Sequence, residues 1–70
     1  MAKRDKNRMR VLRAEKRLTQ IDAARKAKMG LSRFWKIENG YIIPGPTDQD
    51  RIARALGVPV AEAFPEQVTA

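Results

Sequence analysis

The stretch GLSRFWKIENG, residues 30–40, holds Ser32 and Lys36 as hydrogen-bond donors, Asn39 as an amide, and Trp35, the single tryptophan, beside Phe34. Residues on an α-helix step by about 100°. With Leu31 taken as the origin, Phe34 falls at about 300° and Ile37 at about 240°, while Leu31, Trp35, Asn39, Ser32 and Lys36 spread over about 140°. Phe34 and Ile37 therefore mark the core side, and Trp35 stands among polar residues on the side a small domain leaves wet. The competing placement folds Trp35 sideways onto Leu31 and the rim of the core. The chemistry of the outer face is donation to acceptor atoms plus apolar contact, not proton transfer. The chain has no His and no Cys, which removes imidazole bases, thiol nucleophiles and the usual zinc ligands. No paired carboxylates, Gly-rich phosphate loop or nucleophile with its base can be assembled. An enzyme is not expected, nor a cofactor or a metal.

The elements that must position these residues are short. Asn7 to Lys16 contains no Gly or Pro and sets Met9 and Leu12 three apart, a first amphipathic helix. Thr19 followed by Asp22 resembles a capping box and opens a second helix, QIDAARKAK, whose Ala23, Ala24 and Ala27 form a stripe that lets another helix approach closely. Gly30 leads a third helix from Leu31 to about Asn39, closed by Gly40 in the left-handed conformation. YIIPGP reads as a loop. Thr47 with Asp50 is expected to cap a fourth helix carrying Ile52, Ala53 and Leu56 to its end at Gly57, and Pro59 opens a last short turn, VAEAF. With no strand signal and no repeat, the fold class is all-α, one domain of five helices. Its organisation reads as a basic flexible arm over 1–7, the domain over 8–64 and a flexible tail over 65–70. A chain of this size has a thin core and no room for a deep cavity.

Charge is uneven. Residues 1–17 hold eight Lys and Arg against two acids, residues 18–36 five against one, and residues 37–70 two against five, within a total of +7. A basic N-terminal half suits a polyanion, and nucleic acid is the commonest in the cytosol; the plainer interpretation is a solvated basic surface. No apolar run reaches the length of a membrane span, and MAKRDKNRMR has no apolar segment behind its charges, so neither a membrane partner nor a secretion signal is expected. The expected location is the cytoplasm.

The segment LTQIDAARKAKMGLSRFWKIENG resembles, without a gap, the helix-turn-helix of the Cro and lambda-type repressor family, the XRE-like regulators, and RIARALGVPVAEAF resembles that family's last two helices. The resemblance covers about residues 8 to 64 and implies a compact lambda repressor-like domain in which helices 2 and 3 form the motif. Three departures stand out. Lys28 occupies the turn position where the family has Gly, which implies a left-handed non-glycine residue. Ala23 and Ala27 replace larger residues, offset by Met29 and Phe34. Tyr41, Ile42 and Ile43 follow ENG where basic residues are common.

The resemblance implies a sequence-specific regulator of transcription, a repressor by expectation, whose helix 31–39 enters the major groove of double-stranded DNA. Carried over by position, Leu31, Ser32, Trp35 and Lys36 face base edges: Lys36 and Ser32 by hydrogen bonds, Leu31 and Trp35 against thymine methyls or sugars. Gln20 in the first turn of helix two, with Arg33, Lys28, Lys3 and Arg4, is expected at phosphates, with Lys6, Arg8 and Lys26 adding charge. Asn39 binds phosphate or caps helix three, and Arg33 has surface solvation as its alternative. The family also implies a pair between Arg13 and Glu38 tying the first helix to the third. It places a twofold contact after ENG, at Tyr41, Ile42, Ile43 and Pro44, for a weak homodimer formed on a two-half-site operator; alternatively Ile43 closes the core against Ile52 and Leu56. A different class stays open: a protein-interaction module, antitoxin-like or an anti-repressor subunit, with Trp35 and Leu31 as its anchor.

Overall fold

The computed structural model describes residues 7–65, so Lys3, Arg4 and Lys6 of the arm lie outside the described residues. Five helices follow one another: α1 (Met9–Glu15), α2 (Gln20–Lys26), α3 (Leu31–Glu38), α4 (Pro46–Leu56) and α5 (Val60–Ala63). No strand occurs among the described residues.

Local rules set most boundaries. Thr19 accepts from the Asp22 amide at 3.0 Å while the Asp22 carboxylate accepts from the Thr19 amide, so two orphan donors of α2 are satisfied reciprocally. Helix α4 departs from expectation. It begins at Pro46 with Gly45 as N-cap, and Thr47 is its second residue without a capping bond. Pro46 has no N–H to leave unsatisfied in a first turn, and its fixed φ is already helical, so the second proline of PGP starts a helix instead of prolonging the loop. Asn7, placed in the arm by the sequence reading, accepts from the Met9 amide at 3.0 Å and donates to the Ile37 carbonyl at 3.1 Å. Those two bonds join it to the folded unit.

Helices α1 to α4 all end the same way. The residue after the last turn lies in the left-handed region: Arg17 at φ 58°, Lys28 at 61°, Gly40 at 83° and Gly57 at 72°. In each case the next N–H reaches back to the carbonyl five residues before it, as Met29 does to Ala24 at 3.1 Å and Tyr41 to Lys36 at 2.8 Å. Glycine holds two of these positions. A cation holds the other two, at the steric cost a Cβ imposes there.

The core is built from Met9, Leu12, Phe34, Ile37, Ile52, Leu56 and Phe64, closed by Ala23, Ala24, Ala27 and Ala63. Helix α2 packs against both α3 and α4, and its alanines are the reason that it can. Phe34 and Ile37 are fully buried, as the helical projection requires. Phe64, just before the expected tail, is fully buried as well. The alternative for Ile43 is reversed: Ile42 packs against the core, whereas Ile43 is 78% exposed.

Candidate nucleic-acid interface

Helix α3 has two faces with different environments. Phe34, Ile37 and Glu38 point inward, while Leu31, Ser32, Arg33, Trp35 and Lys36 are exposed. Trp35 keeps 42% of its surface open and does not fold onto the core rim. Its ring stacks on Tyr41 with centroids 5.4 Å apart and planes 17° off parallel. This contact grows out of the helix end. Gly40 turns the chain back, Tyr41 bonds to the Lys36 carbonyl, and its side chain falls on the residue before Lys36.

The inner face holds α3 in place through an ionic network. Glu38 is 1% exposed and accepts from Arg13 Nε at 3.1 Å and from Arg13 Nη2 at 2.9 Å. The third nitrogen of that guanidinium donates to the Leu18 carbonyl at 3.0 Å, so one side chain of α1 joins the end of α1 to the end of α3. Arg10, which the sequence reading did not single out, stands 3.6 Å from Glu38 and donates to Asn39 Oδ1 at 2.9 Å. Its position three residues before Arg13, on the same face of α1, was the available signal. Asn39 in turn donates to the Trp35 carbonyl at 2.9 Å. Asn39 is therefore buried and engaged within the protein.

The other expected contacts are dispersed. Arg33 meets Asp48 of α4 at 2.7 Å and keeps about half of its side chain exposed. Gln20 is half-buried at the start of α2. Lys28 sits at the left-handed turn between α2 and α3, but it lines a surface with Lys26, Arg51 and Arg54, on the α4 flank of α2. Ile21 and Leu31, both exposed, share the opposite flank with Arg25 and Met29. Of the loop after α3, Pro44 is buried and its carbonyl accepts from Gln49, and Ile42 is half-buried; Tyr41 and Ile43 stay outside.

The geometry thus brings Leu31, Ser32, Trp35 and Lys36 onto one convex, solvent-facing helix surface, backed by a stacked tyrosine and held from behind by Arg13. Donors and apolar faces are present on it, and carboxylates are not. Among the described residues no group of His, Cys, Asp or Glu could hold a metal ion, and no helix is long and apolar enough to cross a membrane. The family model described as a helix-turn-helix domain matches residues 7–63. No curated protein and no solved structure matches the chain.

Proposed function

The chain belongs to the helix-turn-helix domain family, and on that premise we propose that it is a sequence-specific, DNA-binding regulator of transcription that represses by occupying its operator in the cytoplasm. The observation that carries this reading is the outer face of α3, which combines exposed donors with an exposed, stacked tryptophan. In a helix-turn-helix the second helix of the motif enters the major groove. Lys36 then donates to guanine O6 or N7, Ser32 pairs with an acceptor, and Leu31 and the Trp35 edge pack on thymine methyls. Gln20, at the start of α2, contacts phosphate, and the basic residues 1–8 extend the phosphate contact. Two copies meet on a two-half-site operator through Ile43 and the outer face of Tyr41.

Trp35 fluorescence makes the test direct. Titration with a mixed-sequence duplex reports the affinity, and repetition at rising salt reports the phosphate contacts, because log K falls with log salt by a slope of about −0.9 per phosphate neutralised. Selection from a random pool then compares wild type with Lys36→Ala and Trp35→Ala. A changed sequence preference at a cost of about 1–3 kcal/mol supports base reading. Absence of binding at low salt removes the proposal. Should Trp35→Ala leave DNA binding intact and abolish a protein complex, the exposed Leu31–Trp35–Tyr41 surface is a protein anchor, and the interaction-module reading replaces it.

A further inference from the structure

Two of the four left-handed helix ends carry cations where glycine is the residue of least strain, and one of them, Lys28, opens onto a second basic surface. Lys16, Lys26 and Arg54 line one open concavity between the end of α1, α2 and the end of α4. Lys26 and Arg54 also line its neighbour, together with Lys28, Arg51 and Asp50. The five cations come from three elements and the turn after α2. The single acid lining either concavity, Asp50, is already bonded to Arg54 at 2.9 Å. The Lys16 side chain reaches Gly57, the residue that closes α4. Arg17, the second strained cation, directly follows Lys16. A backbone held in a costly conformation by a residue other than the cheapest one points to a use for that side chain.

This surface is separate from the reading face. None of Leu31, Ser32, Trp35 and Lys36 lines either concavity, and the flank of α2 that accompanies Leu31 is made by Ile21, Arg25 and Met29 instead. Its composition also selects the class of partner. Protein interfaces anchor on exposed apolar side chains, and the large exposed ones here, Val11, Ile21, Leu31, Trp35, Tyr41 and Ile43, all lie outside both concavities. Leu18, Ala55 and Leu56, which also line the first concavity, are packed against or within the core, and a surface of spread cations with its apolar side chains so occupied matches a phosphate backbone.

We infer that the Lys16–Lys26–Lys28–Arg51–Arg54 surface binds the backbone of a second DNA duplex, so that one subunit bridges two duplex segments. The inference rests on the proposal that α3 reads a first duplex. If about four phosphates are neutralised, the second duplex is held without sequence preference and weakens about 100-fold between about 50 and 200 mM salt.

The whole chain is mixed with a donor-labelled duplex recovered by selection and an acceptor-labelled duplex of unrelated sequence. Energy transfer reports the ternary complex, and Trp35 reports the binary one. The triple substitution Lys16→Gln, Arg51→Gln, Arg54→Gln is expected to keep binary affinity within about threefold and to weaken capture of the second duplex by about tenfold or more. With a duplex carrying one half-site, Ile43→Asp is expected to leave the ternary complex intact, since bridging needs no protein pair; loss of energy transfer in this variant overturns the inference, because a protein pair then does the bridging. Circular dichroism confirms folding, and Lys16→Gln and Arg51→Gln alone, each giving a partial loss, stand in if the triple variant does not fold. Binary binding without energy transfer in the wild type overturns the inference and leaves the reading face standing. Equal loss of binary affinity in the triple variant overturns it too, because the cations then serve the first duplex. So does displacement of the second duplex by polyglutamate at lower concentration than by duplex, which assigns the surface to an acidic protein. Absence of binary binding removes the DNA reading and this inference together.

Discussion

Glu38 is the most consequential single position for the orientation of α3. Its carboxylate is almost wholly buried, receives two charge-assisted bonds from Arg13, and has Arg10 at 3.6 Å as its other cation. Replacing Arg13 by Met strips both short bonds and leaves the Leu18 carbonyl without its donor. Breaking a buried pair by removing one partner costs roughly 3–5 kcal/mol. The Arg13 side chain is 18% exposed and Arg10 remains nearby, so we expect a cost about 1 kcal/mol below that range, about 2–4 kcal/mol. A domain of this size has only about 3–5 kcal/mol in total, so Arg13→Met is left close to its unfolding midpoint. Arg10→Met, by contrast, removes a half-exposed guanidinium and should cost about 0.5–1 kcal/mol. Urea unfolding of Arg13→Met, Glu38→Gln and the double variant gives the coupling, expected at about 1.5–3 kcal/mol. The Arg13 effect should persist in high salt, because a buried pair is weakly screened. Additive single losses, or an Arg10→Met cost equal to that of Arg13→Met, would refute the view that a buried Arg13–Glu38 fork holds the helix.

The left-handed helix ends give a prediction of opposite sign: Lys28→Gly and Arg17→Gly should each stabilise by about 0.5–1 kcal/mol in thermal unfolding, while Gly57→Ala should cost about 1 kcal/mol or more. Tyr41→Ala should shift Trp35 emission to longer wavelength and blunt the sequence preference measured by random-pool selection, whereas Tyr41→Phe keeps the stack and both properties. Ile43→Asp should abolish cooperative binding to a two-half-site duplex in gel shifts while leaving the affinity for one half-site unchanged, and Ile42→Asp should instead lower the melting temperature, because Ile42 packs on the core.

What could be read from the chain in advance follows the range of the interactions involved. The Thr19 cap, the two faces of α3 and the Gly40 and Gly57 stops are decided within about one helical turn, and residue types at that spacing reveal them, whereas the left-handed Lys28 is legible only through the family resemblance. The start of α4 is also local, yet PGP carries two opposed signals, and Pro46 resolves them as a first helical residue only because nothing in that turn needs its missing N–H. Ile42 and Ile43 are alike in size and branching, so nothing in their types says which goes inward. The choice is made by the direction in which Tyr41 leaves α3, and that is set by the Gly40 turn and the stack on Trp35.

The polar residues of the candidate interface show the other limit. A helical projection identifies which side chains of α3 point away from the core, but it cannot say which of them remain available, because that depends on partners far along the chain. Asn39 is bonded to Arg10 across 29 positions and Arg33 to Asp48 across 15, so both side chains tie α3 to other helices. Lys28 moves by the same logic: its turn is local, but the company it keeps, Arg51 and Arg54, arrives only when α4 packs on α2. The result is a sharper division of labour than the sequence suggests. Leu31, Ser32, Trp35 and Lys36 form the exposed outer face of α3, Arg10, Arg13, Glu38 and Asn39 join α3 to α1, and Lys26, Lys28, Arg51 and Arg54 line a separate basic surface between α2 and α4.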